Sequence, residues 1–175
     1  MKWTSHVLIS ASVCVLWRPE VAPMAILGAT APDWLEGLAQ RLKIPLTHRG
    51  VTHVLTTWIG LAVLCRLMGA PPAVVAFVLG GVIHWLCDAL TVSGAPLGWW
   101  SSHRTTLFGG KIVTGDRNET RLTQCILVLC LVLLQVRGAW WDEEAYSPFF
   151  TDWEALYQGG VIDPIEWRLH RFLFF

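Results

Sequence analysis

His84 and Asp88 stand four residues apart inside an apolar stretch, AVVAFVLGGVIHWLCDALTV at 73–92. On a helix, an i, i+4 pair shares one face with Cβ atoms ~5–6 Å apart. That spacing suits two ligands of one divalent ion, or of a pair of ions. An ionisable group in hydrocarbon costs on the order of 2.5–3.5 kcal/mol even on the lenient insertion scale, so its presence asks for a function or a tight partner. The competing reading is a packing lock in which the two side chains only bond each other. A second group, His48-Arg-Gly-Val-Thr-His53, opens the preceding apolar run. Five residues apart on one continuous helix, His48 and His53 would point ~140° apart. They converge only if a helix starts between them, which Gly50 permits. Arg49 would then stand at the mouth, where a guanidinium binds phosphate bidentately; a positive-inside anchor is its plainer role. Asp33 follows Ala31-Pro32, where proline is expected to stop an apolar segment and leave a carboxylate at its end; a helix cap is the alternative. His6 begins the first apolar run, where a capping or interfacial residue is the alternative.

The elements that must position these groups are membrane-like. Of 175 residues, 54% are hydrophobic and 15% charged, well below the ~25% charged of ordinary soluble domains. Several of the 11 tryptophans stand at the ends of apolar runs (Trp3, Trp17, Trp99, Trp100, Trp140 and Trp141), as in an interfacial belt. The expected fold is all-α: a polytopic membrane bundle with an N-terminal helical hairpin at 6–31 and three spanning helices. The runs 51–69, 73–92 and 122–141 can each cross ~30 Å at ~1.5 Å per residue, the last with Trp140 and Trp141 as its far anchor. Lys2 and the short apolar run after it fit a signal peptide loosely, but there is no small-x-small cleavage site, and His6 is expected to stay attached. The five cysteines lie in apolar segments, are odd in number and form no C-x-x-C pair, so they read as small buried hydrophobes. Zero net charge gives no nucleic-acid surface.

The connectivity gathers the polar groups. The hairpin begins and ends on one face of the membrane, bringing His6 and Asp33 together. The polar stretch at 33–50 keeps His48 and His53 there. One run crosses and the next returns with His84 and Asp88. Six nitrogen and oxygen ligands on neighbouring helices suit one or two divalent ions.

These residues resemble the YdjM-like family of inner-membrane proteins, regarded as metal-dependent hydrolases. The resemblance rests on His6, Gly28-Ala-Thr-Ala-Pro-Asp33, His48-Arg-Gly-Val-Thr-His53 and Gly81-Val-Ile-His84-Trp-Leu-Cys-Asp88-Ala-Leu-Thr91-Val-Ser93-Gly94, and covers about residues 1–135. The family tends to carry a Gly and a downstream Glu before its next helix, matched by Gly115 and Glu119. Its motif logic is similar to that of zinc-dependent phospholipase C and related single-strand nucleases, which implies a divalent ion, zinc foremost, and phosphoester hydrolysis. Here Trp34 and Leu35 follow Asp33, where relatives often have a further Asp and His. The implied ligands are His53, His84 and Asp88 first, then His6, Asp33 and His48. Arg49 would clamp phosphate, and Asp33 or Glu119 would act as general base.

Lys2, Arg41, Lys43, Arg49, Arg104, Lys111, Arg117 and Arg121 fall on the side of the cluster; Arg18, Arg66, Arg137, Arg168 and Arg171 fall on the other. Eight against five, with an acidic tail, predicts a bacterial inner-membrane protein whose metal site faces the cytoplasm. Residues 1–137 read as the membrane-embedded hydrolase-like domain and 138–175 as an aromatic, acidic tail. In the tail, Asp163-Pro-Ile-Glu166 is a helix start, with Ile165, Leu169 and Phe172 on one face. This short amphipathic helix could lie on the outer membrane surface, cap the bundle or dock a protein. The expected partners are membrane lipid, a phosphoester substrate and a membrane protein. Two other functions fit the same residues: a non-catalytic, metal-stabilised subunit that docks a partner, and an ion or proton conduit. The second ranks last because relays distribute their groups through the membrane depth.

Overall fold

A computed structural model describes residues 1–44, 50–100, 103–136 and 153–170, with backbone alone at 153–155 and 169–170. The described residues are mostly helical. Two compact units divide the chain, Met1–Leu133 and Leu134–Phe175.

In the first unit, α1 (Trp3–Val15) and α2 (Ala22–Arg41) form the expected hairpin about a turn at Pro19–Val21. Cys14, Val21, Ala22, Ala25 and Ala76 are buried in one small-residue cluster. The sequence predicts that Pro32 stops the second arm. Instead α2 runs through it to Arg41. A helical proline removes one i to i−4 bond; here its ring is fully buried, and the residue at i−4 is Gly28. The result carries Asp33 and Glu36 on a continuous helix.

Helix α3 (Leu55–Met68) is shorter than the run that encodes it. Fourteen residues reach ~21 Å, less than the ~30 Å of a bilayer core. The first residues of the run are spent otherwise: Val51–His53 form a 3-10 turn and Val54 is extended. The Thr57 hydroxyl donates to the Val51 carbonyl at 2.7 Å and fixes that turn. A left-handed Gly69 (φ 61°) ends α3, where glycine carries no Cβ penalty. Helix α4 (Pro72–Ala89) follows with proline at its first position.

After α4, β1 (Ala95–Pro96) pairs antiparallel with β2 (Arg104–Thr105). Helix α5 (Arg117–Val136) begins earlier than the apolar run and is 20 residues long without the two tryptophans, which lie outside the described residues. Asp116 caps its start, accepting the Glu119 N–H at 2.7 Å. Leu122 and Ile126 pack on Ile9, Ile83 and Cys87, while Val128, Leu129 and Val132 are each more than half exposed. Among the described residues two helices, α4 and α5, are long and apolar enough to cross a membrane.

In the second unit, α6 (Trp153–Gln158) and α7 (Pro164–His170) are joined by a turn at left-handed Gly160. The Tyr157 and Trp167 rings stack at 5.4 Å. Asp163 Oδ1 accepts the N–H groups of Ile165 and Glu166, both at 2.7 Å. Asp163→Ala should therefore cost about 1 kcal/mol of local helix stability. Faster hydrogen exchange at those two amides would register it, and unchanged exchange would contradict it. Ile165 is exposed; the Leu169 side chain and Phe172, the rest of its expected stripe, lie outside the described residues.

Candidate metal centre

Four elements converge on one polar cluster. The first turns of α1 supply His6, the middle of α2 supplies Asp33, the 3-10 turn supplies His53, and the last two turns of α4 supply His84 and Asp88. The crossing of α2 and α4 makes this possible. A Cβ on Gly28 would strike the Phe77 backbone, and one on Gly80 would strike the Ala25 carbonyl. The missing side chains let the helices approach until the His84 ring reaches the Ala29 carbonyl at 2.7 Å. Gly81 likewise leaves room for the Trp58 ring, whose N–H donates to the Thr52 carbonyl at 2.8 Å and holds the turn carrying His53.

The ligating atoms of His6, His84 and Asp88 lie within 4.8 Å of one another, as do those of Asp33, His53 and His84. His84 belongs to both groups. A carbonyl only accepts, so the His84 Nδ1 bonded to Ala29 carries the proton and Nε2 keeps its lone pair. Among the described residues that Nε2 is buried without a hydrogen-bond partner, as is His6 Nδ1. The His6 and His84 rings stack at 4.1 Å, and His53 meets His84 edge-on at 5.2 Å. His6 Nε2 is 3.4 Å from Asp88 Oδ1 and His84 Nε2 is 3.6 Å from Asp88 Oδ2. The second distance is too long for a hydrogen bond, which disfavours the packing lock. Both are close to the ~3.4 Å that separates two donors of a tetrahedral ion with bonds of ~2.1 Å. The donor set, three imidazoles and two carboxylates, and the orphaned buried nitrogens fit a divalent ion of borderline softness.

The outer groups are also ordered. His53 Nε2 lies 3.1 Å from Asp33 Oδ1. Burial pushes the Asp33 carboxyl up, but the bond to His53 and the field of the surrounding imidazoles outweigh it, so the group lies below the usual carboxylate range and is ionised at neutral pH. Glu36, one helical turn beyond Asp33, is buried with Oε2 3.7 Å from His53 Nδ1. The sequence reading missed it; its signal was the Asp33-x-x-Glu36 spacing, visible only once α2 passes Pro32. Met1 N donates to Asp88 Oδ1 at 2.5 Å. Thr91 donates its hydroxyl to the Asp88 carbonyl at 2.7 Å, and left-handed Gly94 turns the chain after it.

The family model of the YdjM inner membrane protein matches residues 1–143. The chain belongs to the YdjM inner membrane protein family. The match takes in every residue of the cluster and all of α1–α5. No curated protein and no solved structure matches the chain.

Not every candidate residue of the sequence enters the cluster. His48 and Arg49 lie outside the described residues. Glu119 belongs to neither group; its oxygens accept from Lys2 N, Ser5 Oγ and Gly115 N.

Proposed function

We propose that this chain is a multi-pass hydrolase of phosphoesters, lipid headgroups foremost, with a divalent-ion site facing the cytoplasm. The observation that carries the reading is the buried Nε2 of His84, unpartnered among the described residues and shared by two His/Asp groups in a protein of the inner-membrane family. His53, His84 and Asp88, with His6, would hold the ion, and zinc suits the donors best. When bound, such an ion supplies Lewis-acid chemistry, acidifying water and polarising a phosphoryl oxygen. The Asp33 side chain is 31% exposed against 6% for Asp88. Asp33 is therefore the ionised carboxylate open to water, and it takes the proton as general base. Arg49, beside the His53 turn in sequence, binds the phosphate. The excess of basic residues around the cluster in sequence supports the cytoplasmic orientation.

Glu36 faces His53 Nδ1 at 3.7 Å, beyond hydrogen-bond reach, and supports that imidazole as a metal ligand by its charge. Glu36→Gln is expected to lower metal affinity about tenfold in a zinc titration, and an unchanged affinity would remove Glu36 from the site. The reading as a whole is tested by elemental analysis of detergent-purified protein, followed by assays on phosphodiester lipids and nucleotides with and without chelator. Bound metal and chelator-sensitive hydrolysis are expected. Metal-free wild-type protein would sink the reading, and metal without hydrolysis would turn it to a metal-stabilised subunit.

A further inference from the structure

Glu119 is 1% exposed and does its bonding away from the ligand cluster. Its Oε1 accepts the Lys2 N–H at 2.6 Å and the Ser5 hydroxyl at 2.5 Å; its Oε2 accepts the Gly115 N–H at 2.6 Å. Gly115 has φ +90°, a left-handed conformation that presents its N–H to the carboxylate. At the third position of α5, Glu119 gives its own N–H to the Asp116 cap, while its carboxylate reaches back to Gly115, one residue before that cap. The other two donors belong to α1. Lys2 is the N-cap of α1; its carbonyl accepts the N–H groups of Ser5 at 3.0 Å and His6 at 3.2 Å. Glu119 therefore grips both ends of the turn from which His6 projects toward His84 and Asp88. Charge-assisted bonds of this length to backbone and hydroxyl donors are strong, and a buried carboxylate needs them.

We propose that Glu119 is a positioning residue: a carboxylate on α5 that staples the first turn of α1 and so sets the place of the His6 ring in the cluster. The proposal rests on the metal-site reading above. It gives α5 a part in the site although α5 supplies no ligand, and it replaces the general-base role for Glu119.

Co²⁺ titration of the full chain in detergent tests it with wild type, Glu119→Gln, His6→Ala and the double variant. Glutamine keeps the size but turns an NH₂ donor toward groups that themselves donate. Glu119→Gln should weaken Co²⁺ binding about tenfold and move the ligand-field absorption toward that of His6→Ala. On the His6→Ala background the same change should cost less than about twofold, because coupled residues are not additive. Ser5→Ala, a milder lesion, should shift affinity in the same direction by less. Equal losses on both backgrounds overturn the proposal. A second readout needs no metal: hydrogen exchange at the Ser5 and His6 amides should quicken in Glu119→Gln while α2 and α4 stay protected. Unchanged exchange overturns the staple whatever the metal does. Quickened exchange in Glu119→Gln together with a wild-type chain that takes up no Co²⁺ overturns the metal reading, and with it the link to His6.

Discussion

His84→Ala is expected to empty the cluster of metal, lowering affinity by ~10²-fold or more, beyond the 10–100-fold that outer-shell changes cost. His6→Ala and His53→Ala should each cost less. The asymmetry follows from geometry. His84 is the member common to both ligand groups, and its Nδ1 is committed to the Ala29 carbonyl. Only Nε2 remains, and a neutral imidazole nitrogen has one lone pair. One nitrogen serves one ion, so His84 cannot bridge two, and tight binding of one ion per chain is expected. His84→Ala also opens a cavity at the α2–α4 crossing and strips the Ala29 carbonyl of a donor, so lost metal alone would be ambiguous. Asp88→Asn is the companion: it keeps the volume, removes the charge, and should also release the ion. Elemental analysis with thermal melts of both variants decides. A folded His84→Ala protein with wild-type metal content would refute the shared-ligand arrangement.

The sequence showed the parts of this site that depend on local periodicity. His84 and Asp88 are four apart in a long apolar run, and a helix of that length must place them on one face. The hairpin was visible in the Arg18-Pro19-Glu20 break, and the Asp163-Pro164 helix start in its capping chemistry. The parts that depend on tertiary context were not visible. Pro32 reads as a stop because proline lacks a donor, yet the helix continues with that ring buried, and Glu36 enters the site as a consequence. The run at 51–69 reads as a span because its composition is apolar, yet its first four residues turn to present His53. Glu119 reads as a candidate base because it is acidic and near a motif. Its donors on Lys2 and Ser5 lie more than 110 residues away in sequence, where no spacing rule reaches.

The second large effect concerns residues with no chemistry of their own. Gly80→Ala and Gly28→Ala are each expected to destabilise the fold by about 2–3 kcal/mol, in the overpacking range, and to reduce metal uptake. The added methyl group at either position would meet backbone, the Ala25 carbonyl or the Phe77 carbonyl, and backbone yields only if the helices part. Parting α2 from α4 stretches the 2.7 Å bond from His84 to Ala29, so the imidazole loses the anchor that fixes its tautomer and aims Nε2. Gly37→Ala on α2 is the control: no atom of the described residues outside its own helix lies within 4 Å of its would-be Cβ, and alanine should stabilise α2 by about 0.5–1 kcal/mol. The Gly28→Ala, Gly80→Ala double variant should lose less than the sum of the single losses, because helices forced apart by one methyl group already admit the other. Thermal melts and metal content of the four proteins test this together. Equal, small effects at all three positions would mean that α2 and α4 do not approach closely, and that His84 is held by something other than their crossing.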